Sequence, residues 1–305
     1  MPTAITYTRF GGPEVLEVTK VDKPDPGPGQ VRVQVRAAGV NPIDFKILRG
    51  LFGGEPPRQR RGIGVELAGV VDALGPDVDS LAIGDEVLGR ATGGSWADYP
   101  LATVDNLVAR PADLPWEVAG SMTIVAEAAA RALNLTGVST SDTVVINGAS
   151  GGVGALATQL AVARGARVIG TASERNHDYL RAIGAIPVTY GAGMADRVRA
   201  VAPTIDAAVD TAGRGALPDL VELAGGTKRV ITLADPDAAA HGVRFTGGGP
   251  GESVPLPDVF AEVLPLYRTG KLQFLIAQTY PLAQAAQALT ASESGQAHGK
   301  LVLIP

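Results

Sequence analysis

The sequence predicts an α/β protein in which a β-rich N-terminal part precedes a doubly wound parallel sheet. Two observations support this fold class. Short β-favouring segments, interrupted by proline and glycine, fill most of the first 110 residues. Beyond the alanine-rich helical stretch 115–135, apolar strands alternate with helical segments, which is the pattern of a parallel sheet with helical crossovers.

In the N-terminal part, the proline-rich turn KPDPGPGQ (23–30) excludes helix, and the residues around it alternate or are β-branched. Pro42 suits the first turn of a short helix within 36–50. The predicted strands are 4–7, 16–18, 31–35, 64–73, 86–89 and a pair within 95–111.

In the C-terminal part, strand and helix patterns follow one another. The predicted strands are 143–147, 167–171, 186–190, 207–210, 230–233, 243–246 and 300–304, and the predicted helices are 115–135, 153–164, 194–201, 217–223, 257–270 and 284–292. Strand 243–246 is apolar enough to be an edge that pairs with a second copy, and a covered internal strand is the alternative.

The segment DTVVINGASGGVGALATQLAVARGA (142–166) contains the strongest functional signal. A buried strand ends in Gly148, Gly151, Gly152 and Gly154, and helical spacing of apolar residues starts at Val153. Glycines there allow a tight turn and close backbone approach to a pyrophosphate, which the free amides of the helix N-terminus bind. A structural glycine loop is the alternative. The strand that follows at 167–171 completes a βαβ unit and favours a dinucleotide site.

Composition narrows the function classes. The chain has 305 residues, 46% of them hydrophobic, and a formal net charge of −5, which argues against nucleic acid as a main partner. Cysteine is absent, so thiol nucleophiles, disulfides and zinc–thiolate sites are excluded. The N-terminus lacks an apolar signal core and no apolar stretch is long enough to span a bilayer, so a cytoplasmic protein without a membrane segment is expected.

Five segments together resemble the zinc-independent medium-chain dehydrogenase/reductases of the quinone oxidoreductase (zeta-crystallin-like) type. They are RAAGVNPIDFKILRG (36–50), GVELAGVV (64–71), IGDEVLG (83–89), NGASGGVGALATQLAVARGARVIGTAS (147–173) and HGKLVLIP (298–305). The resemblance covers essentially the whole chain. It implies a GroES-like β-rich substrate domain at 1–118, completed by 261–305, and a Rossmann NADPH-binding domain at 119–260.

The resemblance also implies an activity: metal-free, NADPH-dependent hydride transfer to quinones or other α,β-unsaturated carbonyls, in a homodimer. An enoyl-thioester or alkenal reductase, and a non-catalytic NADPH-binding sensor, are the alternatives. Zinc-dependent relatives have Gly-His-Glu where this chain reads Gly64-Val65-Glu66, and their other ligands are commonly cysteines. No metal site is therefore expected.

The strand tip after the glycine turn predicts the nicotinamide cofactor. An NAD-selective site usually has an acid there, whereas Ser173 and Arg175 offer a hydroxyl and a guanidinium for a 2′-phosphate. The alternative is that Glu174 binds a ribose and Arg175 is solvated. NADPH is the expected cofactor, and its predicted contacts are Asn41, Ser150, Gly151, Gly152, Val153, Ser173, Arg175, Tyr190, Thr211, Leu233, Gly248 and Lys300.

The VNPxD motif at Val40–Asp44 predicts the reacting end of the site. Asn41 is the candidate catalytic residue, because its amide can donate to the acceptor oxygen on which negative charge develops. Turn formation before Pro42 is the alternative role. The predicted substrate contacts are Asp44, Lys46, Phe52 and Trp96. The alternative for Asp44 is an N-cap or solvated role, and Lys46 stands where relatives often have an aromatic residue. Phe52 and Trp96 could offer a ring surface to the substrate, and core packing is their alternative role.

Overall fold

The structure is a computed structural model that describes residues 1–249, 251–295 and 297–305. The chain forms two compact units. Unit 1 comprises Met1–Ile124 and Leu275–Pro305, and unit 2 comprises Val125–Phe274. The predicted domain limits at 118/119 and 260/261 stay a prediction.

The predicted strands occur in the predicted order, together with two that were not predicted, Arg61–Gly62 and Ile276–Pro281. They are β1 (Thr3–Tyr7), β2 (Glu17–Lys20), β3 (Gln30–Val40), β4 (Arg61–Gly62), β5 (Glu66–Leu74), β6 (Glu86–Arg90), β7 (Leu101–Thr103), β8 (Leu107–Ala109), β9 (Thr143–Asn147), β10 (Arg167–Ala172), β11 (Ile186–Thr189), β12 (Ala207–Asp210), β13 (Val230–Thr232), β14 (Arg244–Phe245), β15 (Ile276–Pro281) and β16 (Lys300–Ile304).

The α-helices lie mostly between the strands of unit 2. They are α1 (Pro42–Leu48), α2 (Trp116–Thr136), α3 (Gly152–Ala163), α4 (His177–Ala182), α5 (Met194–Val201), α6 (Leu217–Leu223), α7 (Leu256–Arg268) and α8 (Ala285–Glu293). No helix in the described part of the chain combines the length and the hydropathy needed to cross a membrane.

Unit 1 is built on a β-sheet of order β15-β16-β3-β5-β6-β8, with β7 pairing β3, and on a smaller sheet of order β2-β1-β4. Strand β3 is central, and its alternate residues Val31, Val33 and Val35 are buried in the core. Because β3 pairs with both β16 and β5, residues from distant parts of the sequence meet beside its C-terminal end.

Unit 2 contains a parallel sheet of order β11-β10-β9-β12-β13-β14. This is the doubly wound order of a dinucleotide-binding fold, in which ligands bind outside the carboxyl ends of the strands. The predicted fold class, a GroES-like β-rich part with a Rossmann sheet, is confirmed. Strand β14 lies at the sheet edge among the described strands, so it is not an internal strand of this sheet, and its pairing with a second copy stays a prediction.

Some element boundaries differ from the prediction because long-range pairing overrides local propensity. Strand β3 continues five residues beyond the predicted end at Val35, through the alanine- and glycine-containing segment that pairs with β16. Strand β15 was not predicted, since three successive residues within it are exposed and no alternation marks it. Helix α7 contains Pro265, as predicted, near its C-terminal end.

Candidate functional site

The glycine turn between β9 and α3 has a backbone geometry that glycine is needed to form. Gly148 has a φ of +79°, and a Cβ on Gly154 would lie 2.2 Å from the Gly148 carbonyl oxygen. A Cβ on Gly151 would meet that oxygen at 3.4 Å, the one described neighbour within 4 Å. Gly148 and Gly154 therefore shape the turn, whereas the exposed Gly151 leaves its outer side open to a ligand.

Helix α3 begins at this turn with its first amides available. Gly151 is the N-cap residue, and no side-chain cap bond from the described residues satisfies the helix start. The first-turn amides of Gly152 and Val153 have no partner within a helix of this geometry. Together with the helix dipole, they form an anion site of the kind that binds a pyrophosphate.

A buried polar network fixes the strand ends beside the turn. Asn147 donates from Nδ2 to Asp210 Oδ1 at 2.8 Å and accepts from Thr171 Oγ1 at 2.6 Å. Thr232 Oγ1 donates to Asp210 Oδ2 at 2.7 Å, and the Gly148 amide donates to Thr171 Oγ1 at 3.1 Å. The network joins β9, β10, β12 and β13, so the carboxyl edge of the sheet is held rigidly where a cofactor would bind.

The tip of β10 presents the predicted cofactor-selecting residues. Ser173 precedes a 3-10 turn at Glu174–Asn176, and the exposed Arg175 has no hydrogen bond or ion pair with any described residue. Asn176 Nδ2 donates to Ser150 Oγ at 3.0 Å, which ties this turn to the glycine turn. Tyr190 follows β11 with 48% of its surface exposed, and the register of Ala172 with Thr189 brings it beside Ser173.

Three further predicted cofactor contacts also lie at or near the carboxyl edge of unit 2. Thr211 Oγ1 donates to the Asn147 carbonyl at 2.7 Å, and the Leu233 amide donates to the Asp210 carbonyl at 2.9 Å. A Cβ on Gly248 would lie 3.5 Å from the guanidinium of Arg131, so the loop after β14 runs close to that side chain. As cofactor contacts, these positions stay predictions.

Unit 1 contains a second cluster of functional groups, around Asn41. The Asn41 amide nitrogen Nδ2 donates to Glu66 Oε1 at 2.7 Å, and its oxygen Oδ1 accepts from Lys300 Nζ. Lys300 Nζ also lies 3.0 Å from Glu66 Oε1, and all three side chains are buried. A carboxylate, an ammonium and an amide are thus hydrogen-bonded to one another within unit 1.

The sheet explains how residues so far apart in the sequence meet. Asn41 follows β3, whose last residues pair with β16 on one side and with β5 on the other. Lys300 begins β16 and Glu66 begins β5, so these side chains flank the end of the central strand. The structure therefore brings the predicted residues Asn41 and Lys300 together.

Asp44 lies beside this cluster, in the first turn of α1. Its Oδ2 accepts from the Asn41 backbone amide at 2.8 Å, while its buried Oδ1 has no hydrogen-bond partner in the described structure. Burial raises the pKa of Asp44 from 3.8 to about 7, against the lowering effects of the Asn41 amide and Lys300. Asn41 is the N-cap residue of α1 and precedes Pro42, so the structural role considered for it is present. Asp44 is at N3 and fully buried, so it is neither the N-cap residue nor solvated.

The other predicted substrate contacts have different surroundings. Lys46 is half-buried in α1, and Phe52 is 63% exposed. Trp96 is only 1% exposed and donates from Nε1 to the Gly39 carbonyl at 3.1 Å, which makes it a core residue of unit 1. The structure thus leaves little of the Trp96 ring available to a ligand, and substrate contact by Lys46 and Phe52 stays a prediction.

No group of three or more residues able to hold a metal ion occurs among the described residues. Both oxygens of the Glu66 carboxylate accept hydrogen bonds. Lys300 and Asn41 donate to Oε1, and the Ile124 backbone amide donates to Oε2 at 2.7 Å. These donors do not fit a carboxylate that binds a cation.

Sequence reasoning missed the role of Glu66 and of the network around Asp210. The available signal was an acid at the end of an otherwise apolar strand, since buried charges are rare unless they are paired. Glu66 and Asp210 each stand at the end of a short apolar stretch, Glu66 in VELAGVV and Asp210 in AAVD.

Comparison with known proteins agrees with these units. The family described as "Alcohol dehydrogenase GroES-like domain" matches residues 27–203, more than half of the chain, and the family "Zinc-binding dehydrogenase" matches 183–303. The 2-methylene-furan-3-one reductase of Solanum lycopersicum is 30% identical over 318 residues, covering 99% of this chain and 79% of that protein.

Solved structures are similar over the full chain. The quinone oxidoreductase from Coxiella burnetii aligns with a TM-score of 0.87 and 29% identity, covering 100% of this chain and 99% of that one. The mycobacterial protein Rv1454c complexed with NADPH aligns with a TM-score of 0.88 and 27% identity, and each chain is fully covered. The chain spans only 13% and 8% of the length of two polyketide synthases that it also matches.

These matches show that the chain belongs to the medium-chain dehydrogenase/reductase family. Within that family, its similarity to a quinone oxidoreductase over the whole chain confirms the quinone oxidoreductase-like type indicated by the motifs.

Proposed function

We propose that this protein is an NADPH-dependent, metal-free reductase that transfers hydride to quinones or other α,β-unsaturated carbonyls. The observation that carries the proposal is the uncapped N-terminus of α3 behind the Gly148–Gly154 turn, at the carboxyl edge of a doubly wound sheet. Free amides, a helix dipole and an open glycine face are the features that a dinucleotide pyrophosphate needs.

The tip of β10 supports NADPH over NADH. Arg175 is exposed, without a hydrogen bond or ion pair to any described residue, so its guanidinium can bind a 2′-phosphate through two parallel hydrogen bonds without first breaking a protein contact. Ser173 offers a hydroxyl at the same edge. The similar mycobacterial structure is complexed with NADPH, which supports the same choice.

The Asn41 cluster supports the reductive chemistry. The nicotinamide, when bound, supplies the hydride, and negative charge then develops on the acceptor oxygen. Asn41 carries two N–H groups on Nδ2, of which Glu66 accepts one. The other can donate to that oxygen, which is the electrostatic stabilisation that such a transfer requires. We propose that water supplies the proton that completes the reduction, since the sequence offers no evident general acid.

The test is NADPH oxidation by the purified protein, with a chelator present, against matched panels of ortho-quinones, para-quinones, linear enones and an enoyl thioester. We expect turnover that survives chelation, and the preferred panel identifies the substrate class. Preference for the enoyl thioester or for alkenals would favour that alternative reductase. NADPH binding without turnover on any acceptor would contradict the enzyme and favour a sensor protein.

Cofactor choice is tested by Arg175→Glu. Because a charge-assisted hydrogen bond contributes about 1.5–3 kcal/mol, we expect the KM for NADPH to rise about tenfold or more and the KM for NADH to change little. The control is Lys228→Glu. Lys228 is exposed in unit 2 and precedes β13, so it lies at the amino ends of the strands, away from the carboxyl ends where Arg175 is found. Equal effects of Arg175→Glu on the two cofactors would exclude a 2′-phosphate contact.

We also propose a homodimer formed through the edge strand β14. Its residues Arg244 and Phe245 are exposed, and an unpaired edge is a template for pairing with a second copy. Sedimentation equilibrium should give a mass twice that of the 31.1 kDa chain. Replacing Phe245 by proline should shift the mass to that of one chain.

A further inference from the structure

We propose that Glu66 is a positioning residue that fixes which way the Asn41 side-chain amide faces. The inference rests on the proposed function, in which Asn41 donates a hydrogen bond to the acceptor oxygen. An asparagine amide has a donor end and an acceptor end of nearly the same shape, so an unconstrained amide can present either end to a ligand. An enzyme that uses the donor end needs a means of holding it in place.

The two neighbours of Asn41 provide that means because their hydrogen-bonding capacities are opposite. An ionised Glu66 can only accept, and it takes a hydrogen bond from Asn41 Nδ2 at 2.7 Å. Lys300 can only donate, and its Nζ donates to Asn41 Oδ1. Rotating the amide by 180° would place an oxygen against a carboxylate and an NH2 group against an ammonium. Both hydrogen bonds would be lost inside a buried cluster, so one orientation is strongly favoured.

The cluster leaves one amide hydrogen for a ligand. The contacts of Lys300 Nζ are Asn41 Oδ1, Glu66 Oε1 at 3.0 Å and the Val40 carbonyl at 3.4 Å, which use all three of its donors. Of the two Nδ2 hydrogens of Asn41, Glu66 takes one, and the other has no acceptor among the described residues. The donor that the proposed chemistry needs is therefore the one that the network does not consume.

The Glu66 carboxylate is itself fixed in place by its contacts, so it can determine the orientation of the Asn41 amide. Its side chain is fully buried, and its Oε2 accepts from the backbone amide of Ile124 in α2 at 2.7 Å. A Cβ on Gly39 would lie 2.2 Å from Oε1, so glycine in β3 is what allows the carboxylate this close to the strand. The carboxylate is thus fixed by β3, by α2 and by its ion pair with Lys300.

The competing explanation is that Glu66 stabilises unit 1 as a buried ion pair and has no influence on Asn41. A double-mutant cycle separates the two explanations, because a residue that acts through Asn41 has no further effect once Asn41 is removed. The cycle uses the wild type, Glu66→Gln, Asn41→Ala and the double variant. Each is assayed for kcat/KM with the preferred acceptor, for the Kd of NADPH, and for folding by tryptophan fluorescence.

We expect Glu66→Gln to lower kcat/KM at least tenfold, because glutamine can accept or donate at the same place and no longer dictates the amide orientation. The Kd of NADPH should change less than threefold. The double variant should match Asn41→Ala within a factor of two. Glu86→Gln is the matched control, since Glu86 is also a paired carboxylate of unit 1, bound to Arg110 at 3.1 Å, and should retain wild-type kcat/KM.

Gly39→Ala provides an independent variant that keeps the charge of Glu66 but displaces its carboxylate. We expect it to reproduce the loss of kcat/KM with a wild-type far-UV circular dichroism spectrum, which reports folding without relying on Trp96, whose Nε1 is hydrogen-bonded to the Gly39 carbonyl. The inference would be overturned if Glu66→Gln kept the wild-type kcat/KM. It would also be overturned if the fold-losses in kcat/KM of the two single variants multiplied in the double variant. Either result would leave the proposed function unaffected. A wild-type protein that turns over no acceptor would overturn both.

Discussion

Asp44 is expected to make unit 1 less stable as the pH rises, and replacing it with asparagine should remove that dependence. Burial raises the pKa of Asp44 from 3.8 to about 7. Between those values the folded chain holds a proton on Asp44 that the unfolded chain has lost. The free energy of unfolding therefore falls with increasing pH across this window and levels off above pH 7, where both states are ionised.

The size of the effect follows from the shift. One bound proton corresponds to a slope of about 1.4 kcal/mol per pH unit at 25 °C. Between pH 5 and pH 7, allowing for the onset of ionisation in the folded state, the loss is about 2 kcal/mol. The charged groups that act on Asp44 are Lys300, which lowers its pKa, and Glu66, which raises it. Asp44→Asn keeps an acceptor for the Asn41 amide and has no proton to lose.

The assay is urea unfolding of the wild type and Asp44→Asn at several pH values from 5 to 8. The chain has two tryptophans, Trp96 and Trp116, and both belong to unit 1, so tryptophan fluorescence reports on the unit that contains Asp44. We expect the stability difference between the two proteins to change by about 2 kcal/mol between pH 5 and pH 7 in favour of the asparagine variant.

Asp85→Asn is the control. Asp85 accepts from the backbone amide three residues before it, at 2.8 Å, as Asp44 does, but it is exposed. This variant should follow the wild-type pH dependence. If the curves of Asp44→Asn and wild type stay parallel from pH 5 to pH 8, the folded protein does not retain a proton on Asp44, and the argument from burial fails.

Three further predictions concern the glycine turn and the amide donor. Gly154→Ala should lower the melting temperature, because its Cβ meets a backbone oxygen at 2.2 Å and overpacking costs about 1–3 kcal/mol. Gly151→Ala, in contrast, should keep the wild-type melting temperature and weaken NADPH binding, which is measured by fluorescence titration. Unchanged NADPH affinity in a folded Gly151→Ala protein would contradict a pyrophosphate at the open face of the turn. Asn41→Ala should lower kcat/KM for a quinone about 100-fold while the Kd of NADPH stays nearly constant, and an unchanged kcat/KM would remove Asn41 from the mechanism.

The parallel sheet of unit 2 was predictable because its signals are local. Strand β9, the glycine turn and helix α3 lie within one short segment, and each follows from hydrophobic period or from glycine placement. The residues at the carboxyl edge could be named from the same pattern, since parallel strands bring their ends together. The network through Asp210 could not, because its hydrogen bonds depend on the rotamers of side chains on four different strands.

The Asn41 cluster shows where sequence reasoning stops. Asn41 could be proposed from its motif, but its partner Glu66 lies 25 residues away and its partner Lys300 lies 259 residues away. Only the pairing of β3 with both β5 and β16 brings them together, and that pairing also extends β3 through a segment of weak strand propensity. Trp96 illustrates the converse, since its type suits either a substrate surface or a core and only its burial distinguishes the two.

The two buried carboxyl groups of unit 1 have different roles because only one ammonium is available to them in the described cluster. Lys300 lies within 3.0 Å of Glu66, and the Glu66 carboxylate accepts from two further donors. Asp44 receives a single backbone amide, and its other oxygen has no described partner. Taking a second negative charge into this site would require solvation that the fold does not supply, so burial raises the pKa of Asp44 to about 7 and the side chain holds a proton below that pH. The orientation of Asn41 therefore depends on the paired carboxylate, whereas the pH dependence of stability arises from the unpaired one.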